Sequence, residues 1–197
     1  YPGFPDGILG YDLITGMESQ AVKFGAIIKG SQIVNVDLES HPKKLVDSNG
    51  TIYYAAAVII ATGSTPNKLG LENENNLWSK GISSCAVCDG ALYKKKKIIV
   101  VGGGDSAMEE AAFLTKFSEV TLIHRGETFR ASKAMQNKVL NNEKIKILYN
   151  TVITKLNGSD CIESVICQNT KTKEKFELKV DGLFYGLGLK PNSQLFK

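Results

Sequence analysis

Ile98-Ile99-Val100-Val101-Gly102-Gly103-Gly104-Asp105-Ser106-Ala107 is the stretch on which the fold turns. Four consecutive β-branched apolar residues read as a strand buried on both faces, the pattern of a parallel sheet. Three glycines then break the strand, and Asp105 to Thr115 resumes at helical spacing with Ala107, Met108, Ala111 and Ala112 available for packing. In a strand, glycine turn and helix of this kind, the first backbone N–H groups of the helix point at whatever sits above the turn. The helix dipole favours an anion there. Ala107 stands at the third position of a G-x-G-x-x-G pattern, where only small size is needed. The match implies a turn that cradles the pyrophosphate of a dinucleotide. A tight βα turn without a ligand is the plainer reading of the same residues, and the strand-before, helix-after context disfavours it.

The rhythm continues outward. Glu119 to Ile123 reads as the next strand, Ser132 to Asn141 as a helix with Ser132 at its N-cap, and Ile145 to Tyr149 as a third strand. Strands alternating with helices favour parallel pairing and right-handed crossovers, so the fold class is α/β. Val152 to Val180 alternates as a small meander, and Gly182 to Gly188 adds an apolar strand entering a Gly-rich turn. After the second strand, an acidic residue would grip a free ribose hydroxyl. His124-Arg125 stands there instead, with Arg130 close behind. Guanidinium groups at that place suit a 2′-phosphate, hence NADP rather than NAD. A merely basic surface loop is the competing reading.

Upstream lies Cys85-Ala86-Val87-Cys88-Asp89-Gly90. Two thiols separated by two residues can close a small disulfide and reopen it, the arrangement of a redox dithiol. A structural zinc needs two more soft ligands at matching spacing. Cys161 and Cys167 are poorly spaced for that, and His41 and His124 are remote in sequence. No metal site is therefore expected. Asp89 is placed to move protons during thiol chemistry. A helix beginning here would lower the pKa of the first thiol. Cys161 and Cys167 lie too far apart along an extended strand to bridge each other, and read as buried or half-buried apolar residues.

Before the dithiol, Asp12 is expected to cap a helix carrying Leu13, Met17, Ala21 and Phe24 on one face. Short strands are expected over 32–37, 44–47 and 51–54, and a buried strand over 55–61 ending at Thr62-Gly63. Pro66 to Lys80, rich in Asn, Glu and Gly, reads as a linker. With 197 residues and 43% hydrophobic composition, the chain can form one good core or two small ones. The net charge of +4 equals the run Lys94-Lys95-Lys96-Lys97. No aromatics interleave with that run, so it reads as a solvated loop and no nucleic acid is expected. No apolar run is long enough for a membrane span, and no membrane partner is expected. The chain starts at Tyr1 without Met, and neither a basic nor an apolar leader region follows. It reads as a piece of a longer polypeptide.

Taken together and in order, the Cys85–Gly90 element, Gly102-Gly103-Gly104-Asp105-Ser106-Ala107-Met108-Glu109-Glu110-Ala111 and His124-Arg125 with Phe129-Arg130-Ala131 resemble the low-molecular-weight thioredoxin reductases. These are flavin-dependent pyridine nucleotide-disulfide oxidoreductases. Ile59 to Ser64 resembles the family's flavin-domain exit strand. Gly182-Leu183-Phe184 with Gly188 and Pro191-Asn192 resembles its return. The resemblance implies a Rossmann-like NADPH-binding domain with a parallel sheet and β-meander over 68–193, carrying the Cys-x-x-Cys. It also implies a partial FAD-binding domain over 1–67, with 194–197 starting the return. Electrons would pass from NADPH through FAD to the Cys85–Cys88 dithiol and on to thioredoxin. Cys88 would face the flavin, Cys85 would attack thioredoxin, and Asp89 would be the acid/base. Gly102, Gly104, Asp105, Ser106, Ala107 and Glu109 would hold the dinucleotide. His124, Arg125 and Arg130 would read its 2′-phosphate. Thr62 and Gly63 would contribute to cofactor binding. The family's second arginine after the histidine is Gly126 here, which removes one phosphate contact. The flavin's own Gly-rich turn and its C-terminal Gly-Asp pair have no counterpart in the sequence, so FAD is expected with the longer enzyme and not with this chain. A homodimer in the cytoplasm is the expected full-length setting. A dinucleotide-binding fragment without turnover, or a flavin disulfide reductase serving a peroxiredoxin-type partner, are the alternatives.

Overall fold

Gly10–Lys23 forms α1, the first element of the computed structural model, which describes residues 1–196. Leu9 occupies the N-cap, and Asp12 sits inside the first turn without capping. The expected Asp12 cap is thus corrected: the donors it would cap lie upstream of it, and it complements the helix dipole instead. No residue of α1 is buried. Strands β1 (Ile33–Asp37), β2 (Lys43–Asp47) and β3 (Ile52–Ala55) follow as an antiparallel meander. The β2–β3 turn is fixed by Asp47, whose carboxylate accepts the N–H groups of Asn49 and Thr51 at 2.9 Å and the Tyr53 hydroxyl at 3.0 Å. A carboxylate taking local backbone donors in this way is the usual Asx device of such turns. The expected buried strand over 55–61 does not form. Among the described residues no strand lies beside it, so its backbone has no ladder to join, and Ile59 is 93% exposed.

The chain divides into two units, residues 1–61 with those from Ser193 onward, and Thr62–Asn192. The second unit is framed by β4 (Ser64–Pro66), α2 (Glu74–Leu77), β5 (Ile82–Ser83) and α3 (Ala86–Asp89), the last continuing as a 3-10 turn to Tyr93. Next come β6 (Ile98–Gly102), α4 (Asp105–Leu114), β7 (Val120–Ile123), α5 (Lys133–Leu140) and β8 (Ile145–Leu148). The meander β9 (Thr151–Asn157), β10 (Ser164–Asn169) and β11 (Lys175–Lys179) precedes β12 (Gly182–Gly186) and β13 (Leu189–Pro191). Five parallel strands run in the order β5-β12-β6-β7-β8, and β13 pairs with β4 antiparallel. This is the expected α/β class.

The alternation of side chains along β6 explains its unbroken apolar run. Ile98 and Val100 pack toward α4 with Ala107, Met108, Ala111 and Phe184. Ile99 and Val101 pack on the other face with Val165, Leu183 and Tyr185, beneath the meander. A strand covered on both faces has no polar side to show. The expected linker 66–80 is more structured than its composition implies. Glu74 and Leu77 are buried, and Leu69, Leu71 and Trp78 pack against the meander-side core. Its polar residues are consumed by hydrogen bonds, several of them to partners far along the chain, such as Asn67 to Leu187 and Asn73 to Gly158, which composition cannot reveal. Of the two remaining cysteines, Cys167 is buried as expected, whereas Cys161 precedes β10 and is exposed; both are free thiols. Burial pushes the Cys167 thiol up to about 11.

Candidate active site

The Gly-rich turn sits at the C-terminal edge of the parallel sheet, where β6 hands over to α4. That is the edge at which open α/β sheets place ligands. A cleft of about 570 Å3 opens there. Gly102, Gly103, Gly104 and Ser106 form its floor, Arg125 and Arg130 one end, and Gly186-Leu187-Gly188 with Leu69 the other. Two glycines are sterically required. A Cβ on Gly102 would overlap the Gly186 carbonyl and approach Ala107 Cβ to 2.7 Å, and one on Gly103 would overlap the His124 ring. At these two positions the turn lies too close to its supports for any side chain.

His124 is buried, with Nδ1 3.2 Å from the Gly102 carbonyl and Nε2 2.9 Å from the Thr128 carbonyl. Both ring nitrogens thus face backbone carbonyls, and the one that carries a proton donates to its neighbour. The ring braces the turn while lining the cleft. The backbone N–H groups of Arg130 and Ala131 donate to the Gly103 carbonyl at 2.8 and 3.2 Å. Asp105 takes the Ser132 N–H and hydroxyl, both at 2.9 Å. The Ser132 hydroxyl is spent there and does not cap its own helix. These links seat the Arg130 loop beside the turn. Arg125 and Arg130 are exposed, and among the described residues neither makes an ion pair. Two uncompensated guanidinium groups at one end of a cleft create an anion-favouring potential.

Of the sequence-derived cofactor residues, Gly102, Gly104, Ser106, His124, Arg125 and Arg130 line this cleft. Ala107 is fully buried under the turn, while Asp105 and Glu109 lie exposed on the first turns of α4. Thr62 and Gly63 do not join the cleft. Thr62 Oγ1 donates to the Asn192 carbonyl at 2.7 Å, and Asn192 N–H donates to the Gly63 carbonyl at 3.0 Å. Leu69, Thr151, Val152 and Leu187 also line the cleft, and sequence reasoning misses them because apolar and small hydroxyl residues carry no chemical signature.

The second centre is on α3. Cys85 and Cys88 form a disulfide with their Cα atoms 5.3 Å apart. Cys85, at the N-cap, is half-buried, and Cys88 is exposed. The Ser83 hydroxyl donates to the Asp89 carboxylate at 2.6 Å and accepts the Cys85 N–H at 3.0 Å. Ala86 anchors this short helix in the same apolar cluster as α4's Ala107, Met108 and Leu114. The disulfide and the Gly-rich turn therefore share one packed helix layer within a single unit.

A model of the pyridine nucleotide-disulphide oxidoreductases matches residues 12–197. The chain belongs to that family. It is 45% identical over its whole length to a thioredoxin reductase of Streptomyces clavuligerus, and 46% identical over 98% of its length to one of Dictyostelium discoideum. It spans 62% of the length of each. Among solved structures, a thioredoxin reductase from Giardia duodenalis superimposes with a TM-score of 0.81 at 37% identity, covering 99% of this chain and 65% of that one. Bacillithiol disulfide reductase from Staphylococcus aureus shares the fold, with a TM-score of 0.65 at 18% identity. In this member of the family the Gly-rich turn and the disulfide are packed together. The substrate of the whole protein is a separate inference.

Proposed function

We propose that the chain is part of a thioredoxin-disulfide reductase, in which the Cys85–Cys88 dithiol reduces a protein disulfide with electrons drawn from NADPH. The observation that carries this reading is the co-location, in one unit, of an accessible Cys-x-x-Cys disulfide and a cleft ending in two unpaired arginines. The cleft fits NADP. Gly102, Gly104, Ser106 and the first N–H groups of α4 would hold the pyrophosphate. Arg125 and Arg130 would take the 2′-phosphate, and Asp105 and Glu109 shape the helix entrance. When bound, NADPH supplies a hydride, hence two electrons. FAD is implied by the resemblance. Thr62 and Gly63 are hydrogen-bonded to Asn192 through the Thr62 hydroxyl and both of their carbonyls.

In the dithiol state, the Cys85 thiolate attacks one sulfur of the partner disulfide. A mixed disulfide forms, and the partner's other sulfur leaves as a thiolate. The Cys88 thiolate then attacks Cys85 Sγ, restoring the Cys85–Cys88 disulfide and releasing the partner as a dithiol. Asp89 carries the proton between the Cys-x-x-Cys thiols and the departing thiolate, held in place by Ser83. Thioredoxin as partner is supported by likeness to the thioredoxin reductases; a homodimeric, cytoplasmic setting is part of the proposal.

The test is a trapping experiment. Reduced Cys88→Ser protein, mixed with thioredoxin that lacks its resolving cysteine and carries its remaining cysteine as a mixed disulfide with thionitrobenzoate, should accumulate a covalent adduct through Cys85 as thionitrobenzoate leaves. Peptide mapping would locate the bond. An adduct that forms equally well in Cys85→Ser, or not at all, overturns the assignment.

A further inference from the structure

The end of the cleft away from the arginines is held together by a buried carboxylate that the reading above does not use. Glu74 is 4% exposed and Tyr185 is 3% exposed. The Tyr185 hydroxyl donates to Glu74 Oε1 at 2.6 Å. The same oxygen accepts the Leu69 N–H at 2.8 Å, and Oε2 accepts the Gly70 N–H at 3.0 Å. Burial and the Glu74 carboxylate hold the Tyr185 phenol far above its ordinary range, so it remains a donor. Around this cluster the segment 67–70 is sewn to the end of β12. Asn67 N–H donates to the Gly188 carbonyl at 3.0 Å, and its side-chain amide to the Leu187 carbonyl at 3.2 Å. Trp78 packs edge-on against Tyr185 with ring centroids 5.6 Å apart.

Leu69, Leu187 and Gly188 are wall residues of the cleft. Strand order fixes which part of a dinucleotide meets them. The pyrophosphate turn follows β6, the arginines follow β7 on one side, and Gly186-Leu187-Gly188 follow β12 on the other. With the 2′-phosphate at the arginine end, the nicotinamide falls at the Leu69–Leu187 end. We propose that Glu74 and Tyr185 are positioning residues for the nicotinamide half of the bound dinucleotide, acting through the two cleft walls they tie together. A buried carboxylate is retained only where enough donors compensate it. Here all three donors orient backbone or side chain at that wall: two belong to the 69–70 loop and one to β12. This inference rests on the cleft being an NADP site.

The chain has one tryptophan, Trp78, and it lies against Tyr185 at the proposed nicotinamide end. Trp emission overlaps the absorption of reduced nicotinamide, so energy transfer from Trp78 to NADPH reports their proximity. The experiment compares the wild type with Tyr185→Phe and Glu74→Gln, using 2′,5′-ADP, which lacks nicotinamide, and NADPH. Wild type should bind both, with Trp78 quenched by NADPH only. Both variants should bind 2′,5′-ADP with an affinity within about twofold of wild type. They should bind NADPH about fivefold more weakly or worse, and show reduced transfer at saturation. Tyr185→Phe keeps both backbone hydrogen bonds of Glu74, so it carries the test if Glu74→Gln does not fold. Unchanged NADPH affinity and transfer in Tyr185→Phe would overturn the proposal, as would equal losses for both ligands, the mark of a merely structural role. Wild type that binds neither ligand would overturn the NADP reading and this inference with it.

Discussion

The Ser83 hydroxyl and the Asp89 carboxylate are joined at 2.6 Å across the start of α3, with Cys85 hydrogen-bonded to the same hydroxyl oxygen. The serine at the end of β5 thus connects the disulfide loop to the one carboxylate beside it. A proton carrier is useful only if it is held near the sulfur it serves, and general acid–base groups contribute roughly 100-fold to 10,000-fold. Asp89→Asn is expected to slow exchange between the reduced dithiol and a protein disulfide by about 100-fold, and Ser83→Ala by about tenfold, with the disulfide still forming in both. Stopped-flow measurement of the exchange reads this. A wild-type rate in Asp89→Asn would remove the carboxylate from the chemistry.

Much of the second unit is legible in the sequence because its signals are local. The apolar run 98–101, the glycines after it and the helix spacing from Ala107 to Ala112 each follow from geometry within a dozen residues. The dithiol is legible for the same reason. What stays hidden depends on residues distant in sequence. Glu74 reads as one more acidic residue in a polar linker, because its partner Tyr185 lies 111 positions away. The bracing of the Gly-rich turn by His124 is hidden too, because the Gly102 carbonyl it approaches lies 22 positions away. The run 55–61 has strand composition, but a strand exists only with a neighbour to pair with.

Arg130 sits at one end of the cleft on a loop whose backbone is pinned to the Gly103 carbonyl, with its side chain unpaired. A charge-assisted contact to a phosphate is worth roughly 1.5–3 kcal/mol. Arg130→Ala is therefore expected to weaken NADPH binding about tenfold or more, and NADH binding hardly at all. Calorimetry with both nucleotides decides it, since equal losses would mean that the arginine does not read the 2′-phosphate.

The four cysteines are expected to separate into three reactivity classes. Cys161 is exposed and free and should alkylate at once in the native protein. Cys85 and Cys88 are bonded to each other and should react only after reductant. Cys167 is fully buried, with its thiol raised to about 11, and should react only on unfolding. Differential alkylation with mass mapping resolves all three. Rapid labelling of Cys85 without reductant would mean that the pair is not a disulfide under those conditions.

Glu110 lies on α4, half-buried, and its Oε2 is buried without a hydrogen-bond partner among the described residues. Burial raises its pKa from the ordinary 4.5 to about 7. In the unfolded chain the group ionises near its ordinary value, so between about pH 4.5 and 7 the folded state holds a proton that the unfolded state has lost. Stability falls with pH wherever the folded state binds more protons. The favourable contribution is thus complete below pH 4.5, declines as pH rises, and is gone above about pH 7. A tenfold difference in proton affinity between the two states corresponds to about 1.4 kcal/mol, so the whole effect is on the order of 2–3 kcal/mol once partial solvent exposure is discounted. Glu110→Gln keeps the shape of the neutral acid and cannot ionise. It is expected to be more stable than wild type at pH 8, nearly equal at pH 4.5, and to flatten the stability profile between them. Denaturant unfolding across that range provides the measurement, and parallel profiles for the two proteins would show that Glu110 ionises as freely in the folded state as in the unfolded one.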